Sequence, residues 1–427
     1  MSLKARLIIM NFLQFAVWGA YLTSMSRYLG PAGMGSHIGV FYSVQGIVSI
    51  FMPALIGIIA DRWIPAQKLL GICHLLAASF MLSAGLYGMN AGTDISFSLF
   101  FSLYTLSVSF YMPTLALSNS VAYTILERGG MDTVKAFPPI RVFGTIGFIC
   151  TMWLVDIIGF QTSAMQFVVS AMIGFVLGAY AFSLPKCPVT TSNKDKTLFQ
   201  ALGLDAFKLF KQRKMALFFI FSMFLGVSLQ ITNGFANPFI ASFEALPQYV
   251  NAFGVKHSNI LISLSQISEA LCILLIPFFL RRYGIKSVML IAMFAWVLRF
   301  AFFGLGNPGN GLSLLIFSML VYGVAFDFFN VSGSLFVDKE TPHNIRASAQ
   351  GMFMLMTNGI GATIGTLSAQ WVVNQYCKWT DVSVGTTTKS LLVGDWPSVW
   401  FIFAAYSLVV AVMFAFLFKY KHVRQVE

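Results

Sequence analysis

Stretches of about 20 mostly apolar residues recur from Leu7 to Phe418 with only short polar intervals between them. A bilayer-spanning helix needs roughly that length. Hydrocarbon offers the backbone no hydrogen-bond partner, so segments of this kind are confined to helices that satisfy their own peptide groups. The stretches read as residues 7–29, 36–60, 69–89, 95–120, 138–159 and 164–184, then 215–239, 260–280, 288–305, 312–337, 347–375 and 399–418. With 57% hydrophobic and 10% charged residues, the chain has too little polar surface to cover a water-soluble protein. The expected fold is an all-α integral membrane protein of 12 transmembrane helices in two six-helix bundles.

The basic residues set the expected orientation. Among the 27 Lys and Arg, Arg27, Lys256, Lys378 and Lys389 fall in one set of loops, and Arg141 and Arg299 lie within spans. All the others fall in the N-terminus, the even-to-odd loops and the C-terminus, which predicts that both termini are cytoplasmic. The same partition accounts for the net charge of +12 without a nucleic-acid surface. Lys4 and Arg6 precede the first apolar run, but that run carries Asn11 and Gln14 and exceeds a signal-peptide core, so it is expected to be retained as span one. Cys73, Cys150, Cys187, Cys272 and Cys377 are scattered singly, and the histidines are isolated. No metal site, cofactor or enzymatic constellation can be assembled from such spacing.

Six spans lie on each side of residues 186–214, which contain Lys186, Lys194, Lys196, Lys208, Lys211, Arg213 and Lys214. The domains are therefore predicted as a bundle over 1–185, a cytoplasmic connection over 186–214, and a second bundle over 215–427. A weak repeat relates the halves. Gly57-Ile-Ile-Ala-Asp61-Arg62-Trp63, with Lys68, follows span two, and Arg281-Arg282-Tyr283-Gly284-Ile285-Lys286 follows span eight. Gly144 with Gly147, and Gly361 with Gly365, read as sites of close helix approach.

Glu269 and Asp327 sit near the middle of spans eight and ten. Ionisable groups at that depth are costly and by default mark a substrate path or proton relay, which predicts a coupled transporter. Gln266 and Glu269 are three residues apart and share a helix face, as do Gln230 and Asn233 on span seven, with Thr232 between them. Carboxamides both donate and accept, so they suit a neutral ligand rich in hydroxyls and carbonyls. The alternative is interhelical bonding with no ligand. Tyr322 and Phe326 make an aromatic wall four residues apart. Asp327 lies about 140° round the helix from Tyr322 and is expected to face neighbouring helices, as a proton site would. An ion pair with Arg299 is its structural alternative. Arg141, Thr145 and Phe148 form one stripe on span five behind Pro138 and Pro139. On depth alone Arg141 reads as an interfacial anchor unless that helix starts earlier.

Several strings, in order, carry a resemblance. They are Phe137-Pro-Pro-Ile-Arg-Val-Phe-Gly-Thr-Ile-Gly-Phe148, Leu202-Gly-Leu-Asp-Ala-Phe207, Leu229-Gln-Ile-Thr-Asn233, Ser265-Gln-Ile-Ser-Glu269, Phe326-Asp-Phe-Phe-Asn330 and Ile345-Arg-Ala-Ser-Ala-Gln-Gly351. The chain resembles the NupG-type nucleoside permeases from its first span to Phe418-Lys-Tyr-Lys-His-Val-Arg424. Those are bacterial inner-membrane nucleoside:proton symporters of the major facilitator superfamily, and the group includes xanthosine permeases. The turn at Gly57 to Arg62 partly matches that superfamily's signature loop.

The resemblance implies two bundles alternating around a site near the bilayer midplane. It implies a nucleoside pocket formed by Arg141, Thr145, Phe148, Gln230, Asn233, Gln266, Glu269, Tyr322 and Phe326. Asp327 is then the proton-linked acid, with Glu269 the next candidate. Uridine, cytidine or adenosine would be carried with protons by a monomer in membrane lipid, without a cofactor. Departures from the family pattern are concentrated around residues 244–256 and 378–395, and Ser228 stands where a family member has an acid. A proton-coupled carrier of another polar solute, such as an oligosaccharide, is the alternative function. A receptor or scaffold without transport would have no use for mid-span acids in a polar cavity.

Overall fold

The computed structural model describes residues 2–92, 94–188, 204–342, 345–384 and 387–420. Lys194, Lys196, the side chains of Asp61, Arg62, Asp205 and Ala347, and the end of the chain beyond 420 lie outside the described residues. The chain divides into two compact units, Met1–Leu202 and Gly203–Glu427. The division falls inside the basic stretch 186–214, which is not all loop, because Leu204–Lys211 forms a 3-10 helix.

The first unit contains α1 (Leu3–Gly19), α2 (Met25–Leu29), α3 (Ile38–Arg62), α4 (Ala66–Asn90), α5 (Phe97–Arg128), α6 (Thr133–Ile157) and α7 (Met165–Ala181). Large apolar side chains such as Leu106, Ile146 and Met172 remain exposed on these helices. Helices apolar around their whole circumference are stable in hydrocarbon. Leu7 and Met10 of α1 pack with Leu70, Val121, Ile125, Ile140 and Leu177 in the unit's core. Glycines set the approach of α1 to α6. A Cβ on Gly147 would lie 2.1 Å from the Phe12 carbonyl oxygen, and one on Gly19 would lie 2.3 Å from that of Phe148.

Two expectations change in this unit. Helix α6 begins at Thr133, so Pro138 and Pro139 lie inside it and Arg141 occupies its third turn. Span one is regular only to Gly19. Beyond that the chain turns, with Leu22 N–H on the Trp18 carbonyl at 3.0 Å and Met25 N–H on that of Tyr21 at 2.8 Å, before α2 starts.

The second unit contains α8 (Arg213–Leu229), α9 (Ile231–Ser242), α10 (Ser258–Leu305), α11 (Leu312–Glu340), α12 (Arg346–Met354), α13 (Ala362–Tyr376) and α14 (Trp396–Leu417). Span seven is broken at Gln230, which separates α8 from α9. Span eleven is interrupted by a π-helical segment, Leu355–Gly361. That segment packs on α8 with almost no space. Cβ atoms on Gly226, Gly361 and Gly365 would meet the carbonyl oxygens of Thr357, Met223 and Val227 at 2.2, 2.4 and 2.2 Å. The glycine pairs therefore do serve close helix contact.

Among the described residues, eight helical stretches are long and apolar enough to cross a membrane, rather than twelve. Part of the difference is α10, whose 48 residues join the predicted spans eight and nine. At 1.5 Å per residue it would run about 70 Å, over twice a hydrocarbon core. Gly284, at φ 76° and ψ 169°, breaks it into two limbs in a conformation that favours glycine. Met165–Ala181 is apolar but shorter.

The polar interval before α14 is a β-hairpin, so the fold is not purely helical. Strand β1 (Cys377–Val384) pairs antiparallel with β2 (Thr387–Gly394), from Cys377 opposite Gly394 to Val384 opposite Thr387. Val384 and Leu391 pack on Ala241 near the end of α9. Lys389 Nζ donates to Glu244 Oε2 at 2.5 Å, and Glu244 is buried. The Thr and Val residues of these strands favour extended structure, a signal that apolar run length does not read.

The glycine contacts make a direct test. Gly147→Ala is expected to lower the thermal unfolding midpoint of the detergent-purified protein by several degrees, because its methyl must displace backbone. Gly351→Ala, where nothing lies within 4 Å of the new methyl, should leave the midpoint unchanged or raise it.

Candidate substrate and proton site

In the first unit, α6 presents Arg141, Thr145 and Phe148. The Arg141 guanidinium lies over the Phe15 ring of α1, 3.9 Å from its centroid. A cation held in this way, in the third turn of its helix, is stacked against α1. Thr145 is half-buried and Phe148 buried. Phe148 meets Trp18 edge to face at 6.3 Å, and Trp18 in turn packs on Tyr111 at 6.1 Å. The stripe thus borders an aromatic corner made by α1, α5 and α6.

Behind that corner is a polar network that spacing did not reveal. Thr114 Oγ1 donates to the Tyr111 carbonyl at 2.5 Å, so its oxygen accepts from Gln14 Nε2 at 2.8 Å. Gln14 Oε1 is then left to accept, and His74 Nε2 lies 2.8 Å from it. This assigns the proton of His74 to Nε2. Tyr111 closes the set by donating to the Gln14 carbonyl at 2.8 Å. All four side chains are buried. Each is a polar residue inside a predicted span, which was the available signal, but nothing in a single sequence pairs residue 14 with 74 and 114.

In the second unit, Gln230 and Asn233 flank the break in span seven and bond each other, with Asn233 Nδ2 donating to Gln230 Oε1 at 2.8 Å. Both are half-buried, as are Gln266 and Glu269 on the first limb of α10. Helices α10 and α11 touch where a Cβ on Gly323 would lie 2.5 Å from the Ser268 carbonyl oxygen. That contact brings Glu269 beside Tyr322, whose hydroxyl lies within electrostatic reach of Glu269, Arg299 and Asp327. Tyr322 stacks on Phe326 with centroids 5.6 Å apart and planes 14° from parallel.

Asp327 is 5% exposed, whereas its neighbour Phe326 is half-buried, and it lies close enough to the Cys272 thiol of α10 to act on it electrostatically. Tyr322, the other half of the wall, is 6% exposed. The alternative pairing with Arg299 is not what holds that arginine. Its Nη1 donates to the Ser318 carbonyl at 2.8 Å and to Ser265 Oγ at 3.3 Å, and its Nη2 donates to Thr232 Oγ1 at 3.2 Å. No described group of three or more His, Cys, Asp or Glu could hold a metal ion.

The chain can now be set against known proteins. A sequence model described as "Nucleoside H+ symporter" matches residues 1–423. The chain is 48% identical to the nucleoside permease NupG of Escherichia coli (strain K12) over 427 residues, covering 99% of this chain and 98% of that one. It is 45% identical to the xanthosine permease of the same organism over 425 residues, covering 99% and 97%. The crystal structure of the nucleoside transporter NupG superposes with a TM-score of 0.87 at 47% identity, covering 99% of this chain and all of that one. An auto-inhibited POT family peptide transporter, at 13% identity and a TM-score of 0.69 over 100% and 98% of the two chains, shares the fold alone. By its full-length match and by these relatives, the chain belongs to the nucleoside H+ symporter family.

Proposed function

We propose that this protein carries nucleosides across a bacterial inner membrane together with protons, by alternating access of two six-helix bundles. The observation that carries the reading is the second unit's cluster. That unit carries half-buried amides, Glu269 and an aromatic wall, and a buried acid, Asp327, sits on the same helix as that wall. Family membership makes the solute a nucleoside.

Twelve crossings follow if α1 with α2, α8 with α9, and α12 with α13 each cross once, and α10 crosses twice about Gly284. An even number puts both termini on one side, and the distribution of Lys and Arg makes that side cytoplasmic. Each unit carries its own candidate ligand contacts. Arg141, Thr145 and Phe148 offer donors and a ring. Gln230, Asn233, Gln266 and Glu269 match ribose hydroxyls and base carbonyls, with Tyr322 and Phe326 as a stacking wall.

The proton sits on Asp327 or Glu269. As a neutral acid, Asp327 carries no charge through the low-dielectric interior on the loaded step. One proton moving down 100 mV supplies about 2.3 kcal/mol, enough for roughly 50-fold accumulation.

Three outcomes are expected. Asp327→Asn should abolish proton-driven accumulation of labelled uridine in proteoliposomes while retaining uridine binding; uphill, pH-dependent uptake by this variant would move the proton elsewhere, with Glu269 next. Gln266→Ala and Asn233→Ala should each weaken uridine binding by about 1 to 3 kcal/mol in calorimetry, because a buried hydroxyl loses its partner. Arg141→Lys keeps the charge but not the planar fork, so a marked loss of affinity is expected, with exposed Lys135→Arg as a silent control. Full affinity in Arg141→Lys would remove Arg141 from the site.

A further inference from the structure

We propose that Arg299 is the positioning residue of the second unit's ligand site, holding in register the three elements that carry its contacts. The inference rests on the reading of Gln230, Asn233, Gln266 and Tyr322 as ligand residues.

Arg299 lies on the second limb of α10 and is 2% exposed. Each of its hydrogen bonds ends next to a proposed contact. Thr232, which accepts from Nη2, lies between Gln230 and Asn233, just beyond the break in span seven. Ser265, which accepts from Nη1, immediately precedes Gln266. Ser318, whose carbonyl accepts from Nη1, is one turn before Tyr322, and its own Oγ donates back to the Arg299 carbonyl at 2.8 Å. The guanidinium also lies over Tyr322, 4.5 Å from the ring centroid, with Phe303 at 5.4 Å and Trp296 at 5.9 Å.

A role in stability alone does not account for this arrangement. Burying a guanidinium is expensive, and well-packed apolar side chains usually stabilise such a position as well or better. What an apolar residue lacks is a rigid planar fork that reaches acceptors on several elements at once, and lysine, with a single ammonium, lacks it too. The helix is interrupted for one residue at Gln230, between α8 and α9. The bond from Nη2 to Thr232, two residues beyond it, ties the segment that carries Gln230 and Asn233 to the helices that carry Gln266 and Tyr322. Small displacements of this kind weaken recognition without unfolding the protein.

The test uses the purified full-length chain in detergent, reading uridine affinity by calorimetry and the thermal unfolding midpoint on the same samples. Thr232→Val keeps the side-chain shape and removes the acceptor. It is expected to weaken uridine binding about tenfold with a midpoint near that of the parent, and Thr232→Ser should restore binding. Arg299→Lys should also lose affinity; if it does not fold, the Thr232 pair still decides. Tyr322→Ala is the reference. If Tyr322→Ala loses binding while Thr232→Val and any folded Arg299→Lys protein bind like the parent, the positioning role is overturned. It is overturned equally if midpoints fall while affinity holds, or if Thr232→Ser does not restore binding. Parent-like binding by Tyr322→Ala would instead overturn the ligand-site reading itself.

Discussion

A polar group inside hydrocarbon finds no water, so it must be satisfied by the protein around it. The interior of each unit follows from that constraint. In the first unit, Thr114, Gln14 and His74 pass donors and acceptors along a chain whose direction is fixed by Thr114 bonding to a backbone carbonyl. In the second, Arg299 is surrounded by two hydroxyls, one carbonyl and three aromatic rings. In water such groups would be interchangeable surface residues. Here each of them ties several helices into one arrangement.

Departures from regular helix sit against close backbone packing. The π-helical segment Leu355–Gly361 lies on α8 through Gly226, Gly361 and Gly365, and the helix break at Gln230 comes three residues after Val227, the last of those contacts. Irregular backbone at membrane depth is tolerated only where protein or a lined cavity covers its freed groups. Small residues allow that cover by bringing a second backbone within van der Waals distance. The glycines therefore do more than tighten packing, because they seat the π-helical segment against α8 shortly before its interruption at Gln230.

Much of this was legible in the sequence, and the misses have physical causes. Apolar run length placed the helices well where a run ended in a polar turn, as at Asn90, but it stopped span four at 120 although α5 continues to Arg128. It also separated the two limbs of α10 at the basic turn that holds Gly284, but it failed where a helix begins in polar sequence, as α6 does at Thr133. Composition cannot tell an α from a π turn, so Leu355–Gly361 stayed hidden. In the site, three- and four-residue spacings correctly paired Tyr322 with Phe326 and Asn233 with Gln230. Partners far apart in the chain did not show, and charge alone pointed Arg299 at Asp327 when its bonds run to Thr232, Ser265 and Ser318.

A symporter needs its proton and its solute to sense one another without competing for the same atoms, and Tyr322 is placed to provide that link. Its ring stacks on Phe326, the half-buried side of the wall, while its hydroxyl is within electrostatic reach of Glu269, Arg299 and Asp327. Linkage between two ligands typically amounts to about 1 to 3 kcal/mol. In the proposed cycle, neutralising one acid near Tyr322 alters the field at a side chain that also stacks on Phe326, with no large structural change needed at the ligand. Arg299 supplies the fixed charge in that cluster. Its hydrogen bonds run to Thr232, Ser265 and Ser318, so in the proposed cycle a change of charge on either acid leaves those bonds in place.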